Sequence, residues 1–283
     1  MDFVDLIQKL SLKKELKRIP VGIPNTVDMF IGKDTFIPKI GDKARDSFTS
    51  HLKQSTDYTN IHIDYKWNSL GFRGPEPDYN AKNKILFAGG SFQLGCGVPL
   101  ENSYPHIIAT ELNASYINLG PADTITDLVP WLAKYEKFKP QYVILTDTRF
   151  IQLYGWLLKD LFNLNELNEK VKTVEPDPGQ VDGYENHTKF RAIYQKIFLE
   201  CDKTCLILLE SHIKRLYPNV KIVYVFCHRK TLSTLYKYMH DIFTDITPID
   251  LKSNEVTDLA RDNMHPGIES HKYFAKKILN EIK

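Results

Sequence analysis

The stretch KILFAGGSFQLGCGVPLENSYP, residues 84–105, contains a short apolar run that ends in two glycines and a serine. The run Ile85–Ala88 has the length and side-chain character of a buried strand, and Gly89-Gly90 breaks it where a helix can begin. A serine at such a break is either a helix cap or a nucleophile. Which of the two roles Ser91 has depends on the residues that the rest of the chain brings to it.

Further strands and helices follow this run in alternation. The strand patterns and helix patterns are, in chain order, KILFAG (84–89), NSYPHIIATELN (102–113), SYINLG (115–120), ITDLVPWLAKYEKF (125–138), QYVILTD (141–147), VKIVYVF (220–226), TPIDL (247–251) and HKYFAKKILNEI (271–282). Alternation of apolar strands with amphipathic helices is typical of a parallel sheet covered by helices on both faces. We therefore predict a three-layer α/β/α sandwich around a flavodoxin-like parallel sheet.

The alternating pattern begins near residue 81 and is interrupted once. We interpret residues 1–80, which are polar and irregular between Pro20 and about residue 60, as an N-terminal extension that packs on the main domain. Residues 81–283 then form the main domain. An insertion at about 151–218 contains the turn-rich stretch EPDPGQVDGYENH (175–187), and we expect this insertion to border a site.

Charge and hydropathy limit the kinds of partner. The 283 residues include 37 basic and 35 acidic side chains, and the net charge of +2 does not favour general binding to nucleic acid or to a membrane surface. No apolar run reaches the roughly 18 residues of a membrane span, so we expect no stable membrane insertion. The first 20 residues are too charged for a signal peptide, and we expect a cytoplasmic protein that binds a small molecule.

The sequence contains none of the usual motifs for metals or phosphate-bearing cofactors. The four cysteines, Cys96, Cys201, Cys205 and Cys227, lack the paired spacing of a zinc site, and no His-Glu-x-x-His pattern occurs. The glycines of GGSFQLGCG fit neither the P-loop nor the dinucleotide fingerprint. We predict no metal and no cofactor, and we interpret Cys96 as a packing residue.

The residues that follow the strands are the candidates for a site, because ligands of open α/β sheets bind at the carboxyl ends of the strands. Besides Ser91, the stretch RDNMHPG places Asp262 three residues before His265, just ahead of the last helix. A serine hydroxyl needs a base within hydrogen-bond reach, and that base needs a group that holds its tautomer. His265 can be the base and Asp262 its partner, although Asp262 can also cap the last helix and His265 can be a surface residue.

Four short motifs resemble the conserved blocks of the SGNH, or GDSL-like, hydrolases. GGSFQLGCGVPLENSYP resembles the first block, Asn118-Leu119-Gly120 the second, and Asp262 with His265 the last; NSLGFRG (68–74) is similar to a lead-in of many members. The resemblance covers roughly residues 68–150 and 258–282. It implies that Ser91 is the nucleophile, His265 the general base and Asp262 its orienting partner, and that the backbone N–H groups of Ser91 and Gly120 form part of an oxyanion hole.

The same resemblance implies acyl transfer through a serine ester. We predict a serine hydrolase of the esterase or carbohydrate O-deacetylase type that acts on a small-molecule or carbohydrate ester. The third block departs from the family pattern, because LTDTRF (145–150) contains no asparagine that could donate to the oxyanion. Thr146, Thr148 or Arg149 can replace that donor and contact substrate. An O-acyltransferase that uses the same serine, or a binding module that has lost catalysis, are the alternatives.

Overall fold

A computed structural model describes residues 63–120, 125–146, 206–227, 246–251, 255–262 and 265–283, together with positions 56 and 61 and the short strand Val27–Asp28. The predicted insertion lies outside the described residues up to position 205, as do Thr148, Arg149, Cys201 and Cys205. The division of the chain into an extension and a main domain at residue 80 stays a prediction.

The described residues form seven strands and five helices. The strands are β1 (Val27–Asp28), β2 (Tyr65–Lys66), β3 (Lys84–Gly89), β4 (Ser115–Asn118), β5 (Tyr142–Thr146), β6 (Lys221–Cys227) and β7 (Ile246–Leu251). The helices are α1 (Ser91–Leu94), α2 (Tyr104–Glu111), α3 (Ile125–Lys134), α4 (residues 206–216) and α5 (Ile268–Ile282). Single 3-10 turns cover Leu100–Asn102 and Glu136–Phe138.

The main sheet is parallel and has the strand order β4-β3-β5-β6-β7. From β3 the chain crosses over to β4 on one side, then returns past β3 to place β5, β6 and β7 on the other side. This order confirms the predicted flavodoxin-like sheet, and the predicted strand TPIDL is part of β7. The order reverses between β3 and β5, and such a switch point opens a crevice at the carboxyl ends of the strands.

Helices cover both faces of the sheet. On one face, Phe87 of β3 and Ile144 of β5 are buried in a cluster with Phe274 and Ile278, which lie one turn apart on α5. The alternate residues of the strands, such as Leu86 and Val143, are also buried and point to the opposite face. Each such side chain contributes about 1.5–3 kcal/mol by its burial. The predicted three-layer arrangement is confirmed.

On the second face, helices α3 and α4 lie next to each other. Leu132 of α3 and Ile213 of α4 are fully buried, and the Tyr217 hydroxyl, just after α4, donates a hydrogen bond of 2.7 Å to the Leu132 carbonyl. A small antiparallel pair, β1 with β2, lies outside the main sheet. None of the helices in the described ranges is long and apolar enough to cross a membrane.

Candidate active site

The carboxyl ends of β3 and β5 meet at the switch point. Gly89, the last residue of β3, pairs in register with Thr146, the last residue of β5. A Cβ atom on Gly89 would overlap the Thr146 carbonyl oxygen and lie 2.8 Å from Gln93 Oε1, so a glycine is required for this close approach. The chain then turns directly into α1, which begins at Ser91.

Ser91 is the first residue of α1 and does not cap it. The cap position belongs to Gly90, which makes no side-chain capping bond, and the Ser91 hydroxyl lies 2.8 Å from His265 Nε2. The distance is that of a hydrogen bond between residues 174 positions apart in the chain. The hydroxyl of Ser91 is therefore held by a base, as nucleophilic chemistry requires.

Asp262 holds the other side of the His265 ring. Its Oδ2 lies 2.5 Å from His265 Nδ1, and its Oδ1 accepts the His265 backbone N–H at 3.0 Å. Because a carboxylate only accepts, Nδ1 carries the hydrogen and the lone pair of Nε2 faces Ser91. Phe92 packs edge to face on the His265 ring, with 5.8 Å between centroids. The ring is held in the tautomer and orientation of a general base.

A different acid caps the last helix. Asp258 is fully buried and accepts the backbone N–H groups of Ser270 at 2.8 Å and Glu269 at 3.1 Å, and the Ser270 hydroxyl at 2.7 Å. The capping role that the sequence left open for Asp262 thus falls to Asp258. No local pattern signals this role, since Asp258 lies ten residues before the start of α5 at Ile268.

The Gly120 N–H points at a side chain. It donates to Asn118 Oδ1 at 3.1 Å, and Asn118 is locked to Gln93 by two further bonds of 3.1 Å: Gln93 Nε2 donates to Asn118 Oδ1, and Asn118 Nδ2 donates to the Gln93 carbonyl. Both amide side chains are buried. This pair joins α1, whose first residue is Ser91, to Asn118, the last residue of β4, two positions before Gly120. Sequence reasoning did not single out Gln93.

Thr146 lies beneath the site surface. It is fully buried, and its Oγ1 lies 2.6 Å from the Tyr104 hydroxyl of α2. The alternation along β5 turns Thr146 to the same side as Ile144, toward α2 and α5. Its contact with substrate stays a prediction. The other two predicted contacts, Thr148 and Arg149, lie outside the described residues.

A second histidine, His271, lies buried close to the site and stays neutral. Its Nδ1 accepts the backbone N–H of Tyr104 at 3.2 Å, and its ring stacks on the Tyr104 ring at 5.7 Å. Burial lowers the pKa of His271, the negative charge of Asp258 opposes this effect and the positive charge of Arg73 adds to it, so that the pKa is about 3. His271 is therefore a packing group rather than a proton carrier.

The predicted packing role of Cys96 can be compared with the described residues. Cys96 is half-buried and packs against the apolar cluster that contains Trp67 and Leu94, as expected for a packing residue. No group of three His, Cys, Asp or Glu side chains within the described ranges is arranged to hold a metal ion.

Fold and site together define a parallel α/β protein with a hydrogen-bonded Ser–His–Asp chain at the switch point of its sheet. No protein-family model matches the chain, and no curated relative matches it.

Several solved structures are similar to it. A family two carbohydrate esterase from Clostridium thermocellum, in complex with cellohexaose, is 18% identical, with 75% of this chain and 66% of that chain covered and a TM-score of 0.44. An acetyl xylan esterase from the rumen bacterium Butyrivibrio proteoclasticus is 17% identical over 74% and 64%, at 0.40. The periplasmic domain of a lipopolysaccharide acetyltransferase from Salmonella ser. Paratyphi A is 14% identical over 72% and 84%, at 0.41. The chain spans about two thirds of the length of the two esterases.

Proposed function

We propose that the protein is a serine esterase that works through a covalent acyl-Ser91 intermediate. The observation that carries this proposal is the continuous chain from Ser91 Oγ to His265 Nε2, at 2.8 Å, and from His265 Nδ1 to Asp262 Oδ2, at 2.5 Å. Helix caps and packing histidines do not need such an arrangement, whereas nucleophilic catalysis by serine does. The motifs that resemble the SGNH hydrolases assign the same three residues to the same roles.

The geometry supports a two-step reaction. As Ser91 Oγ bonds to the ester carbonyl carbon, its proton passes to His265 Nε2, and Asp262 stabilises the imidazolium that forms. His265 then protonates the alkoxide of the leaving group, the C–O bond of the ester breaks, and the alcohol departs. In the second step His265 takes a proton from water, whose oxygen attacks the acyl-serine, and the proton returns to Ser91 Oγ as the acid leaves.

The backbone N–H groups of Ser91 and Gly120 are the proposed donors to the oxyanion. As the first residue of α1, Ser91 has no acceptor for its N–H within the helix. The Gly120 N–H donates to Asn118 Oδ1, so we propose that it shares its hydrogen between this oxygen and the oxyanion. With no asparagine in LTDTRF, Thr148 or Arg149 are the remaining candidates for a third donor. One missing donor lowers turnover by about two to three orders of magnitude, so we expect a slow enzyme.

Acetyl esters of carbohydrates or other small alcohols are the substrates that we propose. To test this, the purified chain is assayed with p-nitrophenyl acetate, p-nitrophenyl butyrate and acetylated xylo-oligosaccharides, beside Ser91→Ala. We expect hydrolysis by the parent and a loss of up to about six orders of magnitude in kcat in the variant, as for other serine triads. Equal rates for parent and Ser91→Ala contradict the proposal.

A binding module without catalysis is the second candidate, and two observations favour it. The Gly120 N–H is bonded to Asn118 Oδ1 in the structure, and the third block contains no asparagine. If the protein is such a module, the parent chain and Ser91→Ala bind acetylated oligosaccharides with equal affinity, and neither releases acetate. Calorimetry beside an acetate assay distinguishes this behaviour from esterase activity. An O-acyltransferase is recognised by transfer to an added sugar in preference to water.

A further inference from the structure

The motif NSLGFRG forms a tight turn, and the buried arginine at its end contacts the chain that follows α1. Asn68 Oδ1 accepts the backbone N–H groups of Leu70 and Phe72, each at 3.0 Å, while Asn68 Nδ2 donates to the Pro75 carbonyl at 3.0 Å. The turn is closed by a β-bridge between Trp67 and Arg73. The side chain of Arg73, which follows the turn, is 1% exposed.

Arg73 binds the chain that leaves α1. Its Nη1 donates to the Leu94 carbonyl at 3.0 Å and the Gly95 carbonyl at 2.5 Å, and its Nη2 donates to the Val98 carbonyl at 2.7 Å. Carbonyls at the end of a helix have no partners within it, and a positive charge is favourable there. Arg73 supplies both the donors and the charge.

Tyr65 holds the same turn from β2. Its ring lies under the Arg73 guanidinium, 4.2 Å from Cζ to the ring centroid, and its hydroxyl accepts the Gly97 backbone N–H at 2.8 Å. The two side chains thus form hydrogen bonds with four backbone groups of the turn Leu94–Val98. We call this pair the Tyr65–Arg73 clasp.

The opposite side of the turn contacts the loop that carries Asp262. The Gly97 carbonyl accepts the Arg261 backbone N–H at 3.1 Å. Gly97 has a φ of +76°, and a Cβ there would lie 2.7 Å from Ala260 Cβ and 3.3 Å from Asp262 Cγ. The turn therefore lies directly between the clasp and the acid of the triad.

We propose that Tyr65 and Arg73 are positioning residues, which hold the turn after α1 so that Ser91 and Asp262 meet His265 at the distances observed. This inference rests on the proposed function for its effect on rate. A helix of four residues has little stability of its own, so its position depends on the groups that bind it from outside. Asn118 binds the Gln93 carbonyl, and the clasp binds the backbone groups that follow it, from Leu94 to Val98. The same turn accepts a backbone hydrogen bond from the Asp262 loop.

The test compares Tyr65→Phe with Tyr217→Phe. Each change removes a buried hydroxyl that has a hydrogen bond to the backbone, but Tyr217 bonds to Leu132 on the other face of the sheet. Arg73→Lys is the third variant, since lysine keeps the charge and cannot span the three carbonyls as the planar guanidinium does. For each we measure the melting temperature, kcat and KM for an acetyl ester, and the far-downfield proton NMR signal of His265 Nδ1–H, identified by its absence in His265→Gln.

We expect Tyr65→Phe and Arg73→Lys to lower kcat by about ten- to a hundredfold, with KM nearly unchanged, because small displacements of reacting groups have effects of this size. The downfield signal should shift or broaden in both variants. Tyr217→Phe should lose as much in melting temperature as Tyr65→Phe and keep the parent kcat and signal.

Two results overturn the proposal. One is an equal loss of kcat in Tyr65→Phe and Tyr217→Phe, which indicates a general effect of stability. The other is a downfield signal in folded Tyr65→Phe and Arg73→Lys that is the same as in the parent. If the parent hydrolyses no ester, the proposed function fails instead, and the NMR comparison still decides whether the clasp positions the His265–Asp262 pair.

Discussion

Replacing Asp262 by asparagine exchanges one carboxylate oxygen for an NH2 group and preserves the shape of the side chain. The remaining oxygen can still accept the His265 backbone N–H, which is 3.0 Å from Oδ1 in the structure. The NH2 group then occupies the place of Oδ2, 2.5 Å from His265 Nδ1. Because this group donates, Nδ1 has to accept, and the ring proton moves to Nε2, where it faces Ser91.

The expected loss follows from this change of tautomer. A ring with its proton on Nε2 cannot take the proton of Ser91, so the general base is absent in most molecules. The corresponding exchange in a serine-protease triad lowers kcat about 10⁴-fold, which equals about 5.4 kcal/mol of transition-state stabilisation. We expect a loss of about this size for Asp262→Asn, with little change in the melting temperature.

Asp258→Asn is the matched control, because it makes the same chemical change four residues away. It removes an acceptor of the Ser270 or Glu269 N–H at the start of α5, so we expect a loss of about 1–3 kcal/mol in unfolding free energy and a kcat near that of the parent. The assay is kcat for an acetyl ester beside a denaturant melt. An Asp262→Asn variant with kcat within tenfold of the parent refutes the reasoning, as does an equal loss of kcat in Asp258→Asn.

Three further predictions concern the groups around the site. The lowered pKa of His271, about 3 against 6.5 in the unfolded chain, means that unfolding free energy falls by roughly 1.4 kcal/mol per pH unit as the pH drops from 6.5 toward 3, since only the unfolded chain takes up that proton. His271→Asn should flatten this dependence in denaturant melts, and an unchanged slope contradicts the assignment. Gly89→Ala should lower the unfolding free energy by about 1–3 kcal/mol, because the added Cβ pushes β3 away from β5. Thermal melts measure this loss, and a variant as stable as the parent contradicts the prediction. Thr146→Val should lower stability, because the buried Tyr104 hydroxyl loses its hydrogen-bond partner, and should change kcat/KM less than tenfold. A large loss of kcat/KM at the stability of the parent would instead mean that Thr146 contacts substrate.

The sheet was predictable because its strands are short apolar runs bounded by glycine or polar turns, separated by segments of helical periodicity. A parallel sheet built from such units needs crossovers, and only a few strand orders satisfy them. Within the site, Ser91 and His265 could be found because a strand end and an Asp-x-x-His spacing are local features. In the sequence, Ser91 follows a strand and His265 lies three residues after Asp262. The fold then brings Ser91 Oγ to within 2.8 Å of His265 Nε2.

The residues that sequence reasoning missed act over long distances in the chain. Asp258 caps a helix that begins ten residues later, and the Gln93 amide binds Asn118 across 25 positions. The alternation along the strand puts Thr146 on the same face as Ile144, but only the packing of the helices decides which face of the sheet meets α2 and α5. Arg73 stands in a motif that is recognisable in the sequence, but its contacts with carbonyls 21–25 residues away depend on tertiary structure.

The most direct test of the central claim is intact-mass analysis after treatment with a fluorophosphonate, which reacts with serines activated by a base. We predict one adduct per chain on the parent, located at Ser91 by peptide mapping, and none on Ser91→Ala. We also expect a much slower reaction of His265→Gln, in which the base is missing. A folded parent that forms no adduct, or an adduct that persists in Ser91→Ala, contradicts the claim that Ser91 is an activated nucleophile.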